Sequence, residues 1–110
     1  MPSNQTLLLD ARSLVEHGWT QHTDARSADG QPVQPWNPAA TAWSLLGALV
    51  AALETQALHD EPHAISELAA ACTALATVID NDSLTTWNDQ PTLTQQDVLH
   101  ALNQAAGRAD

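Results

Sequence analysis

The sequence contains no lysine, no phenylalanine and no tyrosine, a single cysteine, three arginines and four glycines. The shortage of cations excludes most nucleic-acid roles. Thirteen acidic residues against three arginines give a formal net charge of −10, and a phosphate backbone needs several cations placed together. An anionic membrane surface is disfavoured by the same repulsion, whereas a basic protein surface is attracted and its encounter accelerated. The lone Cys72 excludes an intrachain disulfide framework, and its apolar surroundings mark a buried, inert thiol, which points to the cytoplasm. No stretch approaches the roughly 18 apolar residues of a membrane span, and the start, MPSNQTLLLDAR, lacks the basic and long apolar segments of a signal peptide. Gly-x-Ser-x-Gly, a Cys paired with a placed His, and a glycine-rich phosphate loop are all missing, so the sequence names no catalytic residue and no cofactor. The charge imbalance also opposes compaction. Moderate salt is expected to raise the melting temperature by screening this self-repulsion, and a salt-independent melting curve would contradict it.

What is present is one domain's worth of chain: 110 residues suffice for a single core that buries roughly 65% of the unfolded surface. With Phe and Tyr absent, four tryptophans carry all the aromatic bulk and are the first suspects for core anchors. A first helix is expected to be capped by Ser3 or Asn4, with Leu7, Leu8, Ala11, Leu14 and Val15 on one stripe and a left-handed Gly18 closing it. From Thr20 to Asn37 the chain is polar and broken by Gly30, Pro32 and Pro35, which reads as a long loop with room for a short hairpin around Asp29-Gly30. Asn37 as N-cap and Pro38 at the first helical position open a second helix, with Trp43, Leu46, Val50 and Leu53 on one seam and Leu45 and Leu49 beside it. Gly47 inside that helix implies the close approach of a neighbouring helix, and Ser44 a side chain bonding back to the preceding turn.

A third helix carries Ile65, Leu68, Cys72, Leu75 and Ile79 at steps of three and four, and the short connection implies that it packs antiparallel on the second. The last helix starts at Thr94, with Asp97 completing a capping-box variant. It buries Val98, Leu99, Leu102, Ala105 and Ala106 and stops at Gly107. Between the third and last helices, Trp87 is expected to plug the open end of the bundle while Asn88, Asp89 and Pro91 turn the chain. The predicted fold class is therefore all-α: a compact four-helix domain with helices over about 4–17, 38–58, 63–80 and 94–106.

Leu14-Val15-Glu16-His17-Gly18-Trp19-Thr20, Ala28-Asp29-Gly30-Gln31-Pro32-Val33, Ala42-Trp43-Ser44-Leu45-Leu46-Gly47-Ala48-Leu49 and Trp87-Asn88-Asp89-Gln90-Pro91 resemble, in order and spacing over nearly the whole chain, a family of small proteins of unknown function from bacteria, their phages and plasmids. The family pattern is a helix ending in Gly-Trp-Thr, an Asp-Gly-x-Pro-Val loop, a Cys-x-x-Gly-Ala-Leu helix and a Trp-Asn-Asp turn before a final helix. The resemblance supports the order of elements, implies a mobile-element setting, and carries no activity to transfer. The sequence departs from the pattern at Ser44, where members often have cysteine, and a serine cannot replace a metal-binding or redox thiolate.

Candidate sites follow from the loop and from the acids. The 20–37 loop and its flanks offer Trp19, Asp24, Arg26, Asp29 and Trp36 as contact residues, because long loops in small domains tend to be functional. Glu54, Asp60, Glu61 and Glu67 gather at one end of the helical pair, and Asp80, Asp82 and Asp89 at the other, where Trp87 and Asn88 adjoin them. Solvation of exposed ends is the plain account of these acids; a negative surface that occupies a basic groove, as a nucleic-acid mimic would, is the sharper one. His59 and His63 are the metal-ligand candidates, although Pro62 disfavours a helical clamp and a pair falls short of the four ligands of a structural zinc site. His17 and His22, with Glu16 and Asp24, imitate an acid–base pair but lack a cleft and an orienting partner. The expected function is non-enzymatic: a small acidic cytoplasmic protein, phage- or plasmid-encoded, that binds a protein partner with a basic surface and makes no direct contact with nucleic acid or membrane. The alternatives are an inhibitor of a host nucleic-acid-binding or defence complex and, third, a small metal-dependent enzyme. The alanine-rich third helix would also support a homodimer.

Overall fold

The computed structural model describes the backbone of residues 4–57, 61–81 and 83–108, and the side chains of 5–54, 66–81 and 83–107. The elements, in chain order, are α1 (Asn4–His17), β1 (Ala25–Ser27), β2 (Ala40–Trp43), α2 (Leu45–Ala57), α3 (Glu61–Ile79), α4 (Leu84–Asn88) and α5 (Gln95–Arg108). The domain is mostly helical, but it is not the purely α, four-helix arrangement expected from periodicity: a two-stranded antiparallel sheet and a fifth, short helix are added.

The stripe on α1 is buried as its spacing requires, with Leu7, Leu8, Ala11 and Val15 fully inaccessible and Leu14 packed beside them. This helix touches α2, α3 and α5. Its polar ends are stitched to α5: the Gln5 side-chain amide donates to the Ala106 carbonyl (3.1 Å), and that of Gln95 donates to Val15 (2.6 Å). Because the start of one helix meets the end of the other at both bonds, α1 and α5 run antiparallel. The capping box at Thr94 and Asp97 is present, with Thr94 N–H donating to Asp97 Oδ2 (2.9 Å) and Asp97 N–H to Thr94 Oγ1 (3.3 Å). Gly107 does not stop α5, which continues to Arg108.

The second helix departs most from expectation. Residues 40–43 are extended, not helical, and Trp43 therefore belongs to β2. Ser44, not Asn37, caps α2, its Oγ accepting from Gly47 N–H (3.0 Å). Asn37 instead caps a tight turn, with its Oδ1 accepting from Ala39 N–H (2.8 Å). The buried seam of α2 is Leu45, Ala48, Leu49 and Ala52, with Leu46 and Leu53 at its edge, in place of the expected Trp43-Leu46-Val50-Leu53. On α3 the buried positions are Ala71 and Leu75, flanked by Leu68, Cys72 and Ile79, and Ile65 lies outside the described side chains. The helix ends with Asp80 at φ +54° and Asn81 N–H bonded to Ala76 (3.1 Å), a Schellman closure that satisfies an orphan carbonyl.

β1 pairs with β2 in the register Ala25↔Trp43, Arg26↔Ala42 and Ser27↔Ala40, with an irregularity that passes over Thr41. The hairpin expected at Asp29-Gly30 is there too: Gly30 takes φ +85°, Ser27 N–H donates to the Gln31 carbonyl (2.9 Å), and Arg26 bridges Pro32. Two glycines explain how this sheet can lie so close to the helices. A Cβ on Gly18 would stand 2.3 Å from the Thr41 carbonyl oxygen, and one on Gly47 would stand 1.9 Å from that of Asp24. Gly18 is thus needed for the passage of β2 and not for a left-handed helix end, and the chain that presses on Gly47 is the segment before β1, not a helix.

Candidate functional site

The Trp-Asn-Asp turn occupies the C-terminal end of α4. Ser83 caps this helix by accepting from Thr86 N–H (3.1 Å), and Asp89 N–H closes it on Thr85 (3.0 Å). Asn88 is fully buried, and each atom of its amide is used twice. Its Oδ1 accepts from the Trp19 indole Nε1–H (2.8 Å) and from the Leu45 N–H at the start of α2 (3.0 Å). Its Nδ2 donates to the Thr20 carbonyl (3.1 Å) and to Asp89 Oδ1 (3.2 Å). Around it, the Gln21 amide donates to the carbonyls of Asn88 (2.9 Å) and Gln90 (2.7 Å), and His22 N–H donates to Asp89 Oδ1 (2.8 Å). Those bonds hold His22 at φ +70°, a left-handed conformation that histidine tolerates better than most residues.

Gly-Trp-Thr and Trp-Asn-Asp are therefore two halves of one knot that joins the end of α1, the start of α2 and the end of α4. Trp43 adds a third strand of connection: its N–H donates to the Gly18 carbonyl (3.0 Å), and its own carbonyl accepts from Thr20 N–H (3.2 Å). Arg26 is turned inward, donating from Nε to Thr20 Oγ1 (2.9 Å) and from Nη1 to the Gly30 carbonyl (2.9 Å), and so braces the hairpin against the same corner.

Trp87, expected to plug the bundle, is only half-buried. It packs on the core and forms one wall of a groove of about 380 Å³ with Val78, Ile79, Leu93, Asp97 and His100. Its buried neighbour Asn88 holds the corner instead. Trp87→Ala is accordingly expected to cost about 2 kcal/mol in urea unfolding, roughly half of what a fully buried indole would cost. A loss of about 4 kcal/mol or more would restore the plug.

The remaining candidates separate in space. Asp24 is exposed and contributes its backbone carbonyl, which accepts from Ser44 N–H (3.0 Å). Asp29 is exposed on the hairpin turn and takes a hydrogen bond from Ser27 Oγ, which holds its carboxyl below the usual range. Asp89 lies 3.9 Å from the His22 ring nitrogen Nδ1. Glu16 pairs with Arg12 (2.9 Å), and the His17 Nδ1 atom bonds the Ser13 carbonyl (2.8 Å), so those side chains do not converge with His22 and Asp24 on a reaction centre. His59 and Asp60 lie outside the described residues, as do the side chains of Glu61 and His63. Among the described residues no three of His, Cys, Asp and Glu gather around a point where a metal ion could sit, and no helix is long and apolar enough to cross a membrane. Burial pushes the Cys72 thiol above its ordinary pKa, which disfavours the reactive thiolate.

Trp36 differs from the other three tryptophans in being 54% exposed. The turn that carries it is nonetheless held by hydrogen bonds on both sides. Pro35, beside it, is buried and accepts from the Trp43 indole N–H (3.0 Å). Asn37 N–H donates to the Gln34 carbonyl (3.0 Å), and Ala40 N–H returns to the Asn37 carbonyl (2.9 Å). The turn so built places Trp36 in the lining of an open groove of about 550 Å³, together with Leu14, Trp43, Ala51 and the exposed Glu54. Of the residues singled out from sequence, Trp36 and Glu54 are brought together here. Pro35 and Leu14, which sequence reasoning assigns to a loop and to the core, complete the groove; the Pro-Trp-Asn-Pro run is the signal that could have found it.

Fold and site define the class: a small helical domain with a hairpin insertion, closed by a buried asparagine and displaying one tryptophan beside an apolar groove. The chain belongs to the family of unknown function DUF6197, whose pattern matches residues 1–108. Neither a curated protein nor a solved structure matches it.

Proposed function

We propose that this chain acts by binding a protein partner through the groove at Trp36, as a non-enzymatic acidic module whose partner offers a basic surface. The observation that carries the reading is the exposed indole on an anchored turn. Exposed tryptophan is costly to leave in water, and tryptophan in a pre-organised setting is among the residues that most often dominate binding energy. The net charge of −10 favours a basic partner and speeds its approach.

Trp36→Ala tests this directly. Because the side chain is mostly in solvent, the variant is expected to keep its stability within about 0.5 kcal/mol. Tagged wild-type chain should retain a specific protein from native lysate at low salt, less of it at high salt, and the variant should retain little of it at either. Equal retention by the wild type and the variant would contradict the reading.

A further inference from the structure

We infer that the segment seated in this groove is cationic, with an arginine next to a bulky apolar residue, the guanidinium lying on Trp36 and paired with Glu54. This rests on the binding role proposed for the groove and specifies the chemistry of its occupant. The part of the lining made by Leu14, Trp43 and Ala51 suits an aliphatic side chain and offers no charge. The Trp43 indole N–H is already spent on Pro35, so the open aromatic recognition element is Trp36, whose Nε1–H finds no acceptor among the described residues. The carboxylate in the groove's lining, Glu54, has no ion pair among the described residues. The two arginines whose side chains are described are engaged elsewhere: Arg12 pairs with Glu16, and Arg26 is held inside the hairpin corner.

An exposed indole, a carboxylate without an ion pair among the described residues and an apolar lining within one groove call for a group that is planar, cationic and attached to an apolar neighbour. Guanidinium meets these requirements better than ammonium, because it is weakly hydrated, stacks on an aromatic face and still directs N–H donors to a carboxylate. A free small cation would leave the apolar lining wet, whereas an anionic segment would meet both Glu54 and the −10 field of the whole chain.

The test uses the full chain and a fluorescein-labelled ten-residue peptide carrying two Arg-Leu pairs in a Gly-Ser background, read by anisotropy. Two control peptides replace the arginines by glutamate or the leucines by serine. The arginine–leucine peptide is expected to bind saturably, and both controls at least about tenfold more weakly. Trp36→Ala is expected to weaken that binding about tenfold and Glu54→Gln about threefold, with the Glu54→Gln loss vanishing in high salt. Circular dichroism and the melting temperature of each variant establish that it is folded. Equal binding of the arginine and glutamate peptides, or unchanged binding by the folded Trp36→Ala chain, overturns the inference. If no peptide binds while Trp36→Ala still abolishes partner retention from lysate, the cationic occupant is refuted and the groove's binding role stands.

Discussion

Asn88→Ala is expected to lower stability by about 4 kcal/mol, a large fraction of the roughly 5–15 kcal/mol that a domain of this size has to lose. The side chain is small and polar, and conventional reasoning would leave it on the surface of a turn. In this fold its removal orphans the Leu45 N–H in the core, the Trp19 indole N–H and the Thr20 carbonyl. Each buried polar group left without a partner costs about 1–3 kcal/mol. The corresponding fall in melting temperature is roughly 20 °C. Asn88→Asp keeps the acceptor for Trp19 and Leu45 but turns a carboxylate oxygen toward the Thr20 carbonyl and the Asp89 carboxylate. It should therefore be no better tolerated, since burying a charge against like partial charges is penalised further. Chemical denaturation of the two variants beside the wild type checks this, and a loss under about 1 kcal/mol for Asn88→Ala would mean that water replaces the amide without penalty.

Gly47→Ala is expected to destabilise by about 3 kcal/mol, opposite in sign to the helix propensities, which favour alanine over glycine by about 1 kcal/mol. The added methyl would lie 1.9 Å from the Asp24 carbonyl oxygen, a backbone atom that cannot swing aside. Relief requires the segment before β1 to withdraw, and with it the bond from Ser44 N–H to Asp24 and the pairing of β1 with β2. Gly107 supplies the control within the same molecule. It lies in α5, and a methyl added there would meet nothing within 4 Å, so Gly107→Ala should follow propensity and stabilise by up to about 1 kcal/mol. Two substitutions of identical chemistry in two helices are thus expected to move the unfolding midpoint in opposite directions.

Helices α1, α3 and α5 are legible in the sequence because their apolar residues recur at helical spacing, and a buried stripe needs no knowledge of its partner. The start of α2 is not. Asn37 followed by Pro38 is a sound local signal for a helix start, and Ala39 and Ala40 agree with it. Those residues are drawn instead into a turn and a strand, by pairing with Ala25–Ser27 and by the Trp43 bonds to Gly18 and Thr20, contacts that local propensity does not register. The short helix α4 has two threonines and a tryptophan in five residues and so carries no periodicity at all. At the corner, the sequence exposes the two motifs but not that they are one structure. Asn88 is polar, and only the partners 43 to 69 positions away reveal why it is buried. Among the tryptophans, composition alone does not separate Trp19 and Trp43, bonded and half-buried, from Trp36, which is displayed.

Hydrogen exchange at the four indole N–H groups, resolved in a ¹⁵N–¹H correlation spectrum, tests the arrangement most directly. The Trp19 signal, bonded to buried Asn88, is expected to persist longest in D₂O, with Trp43 next, while the Trp36 signal disappears at the rate of a free indole. Exchange of Trp19 as fast as that of Trp36 would contradict both the buried asparagine corner and the distinction between the tryptophan that holds the fold and the one offered to a partner.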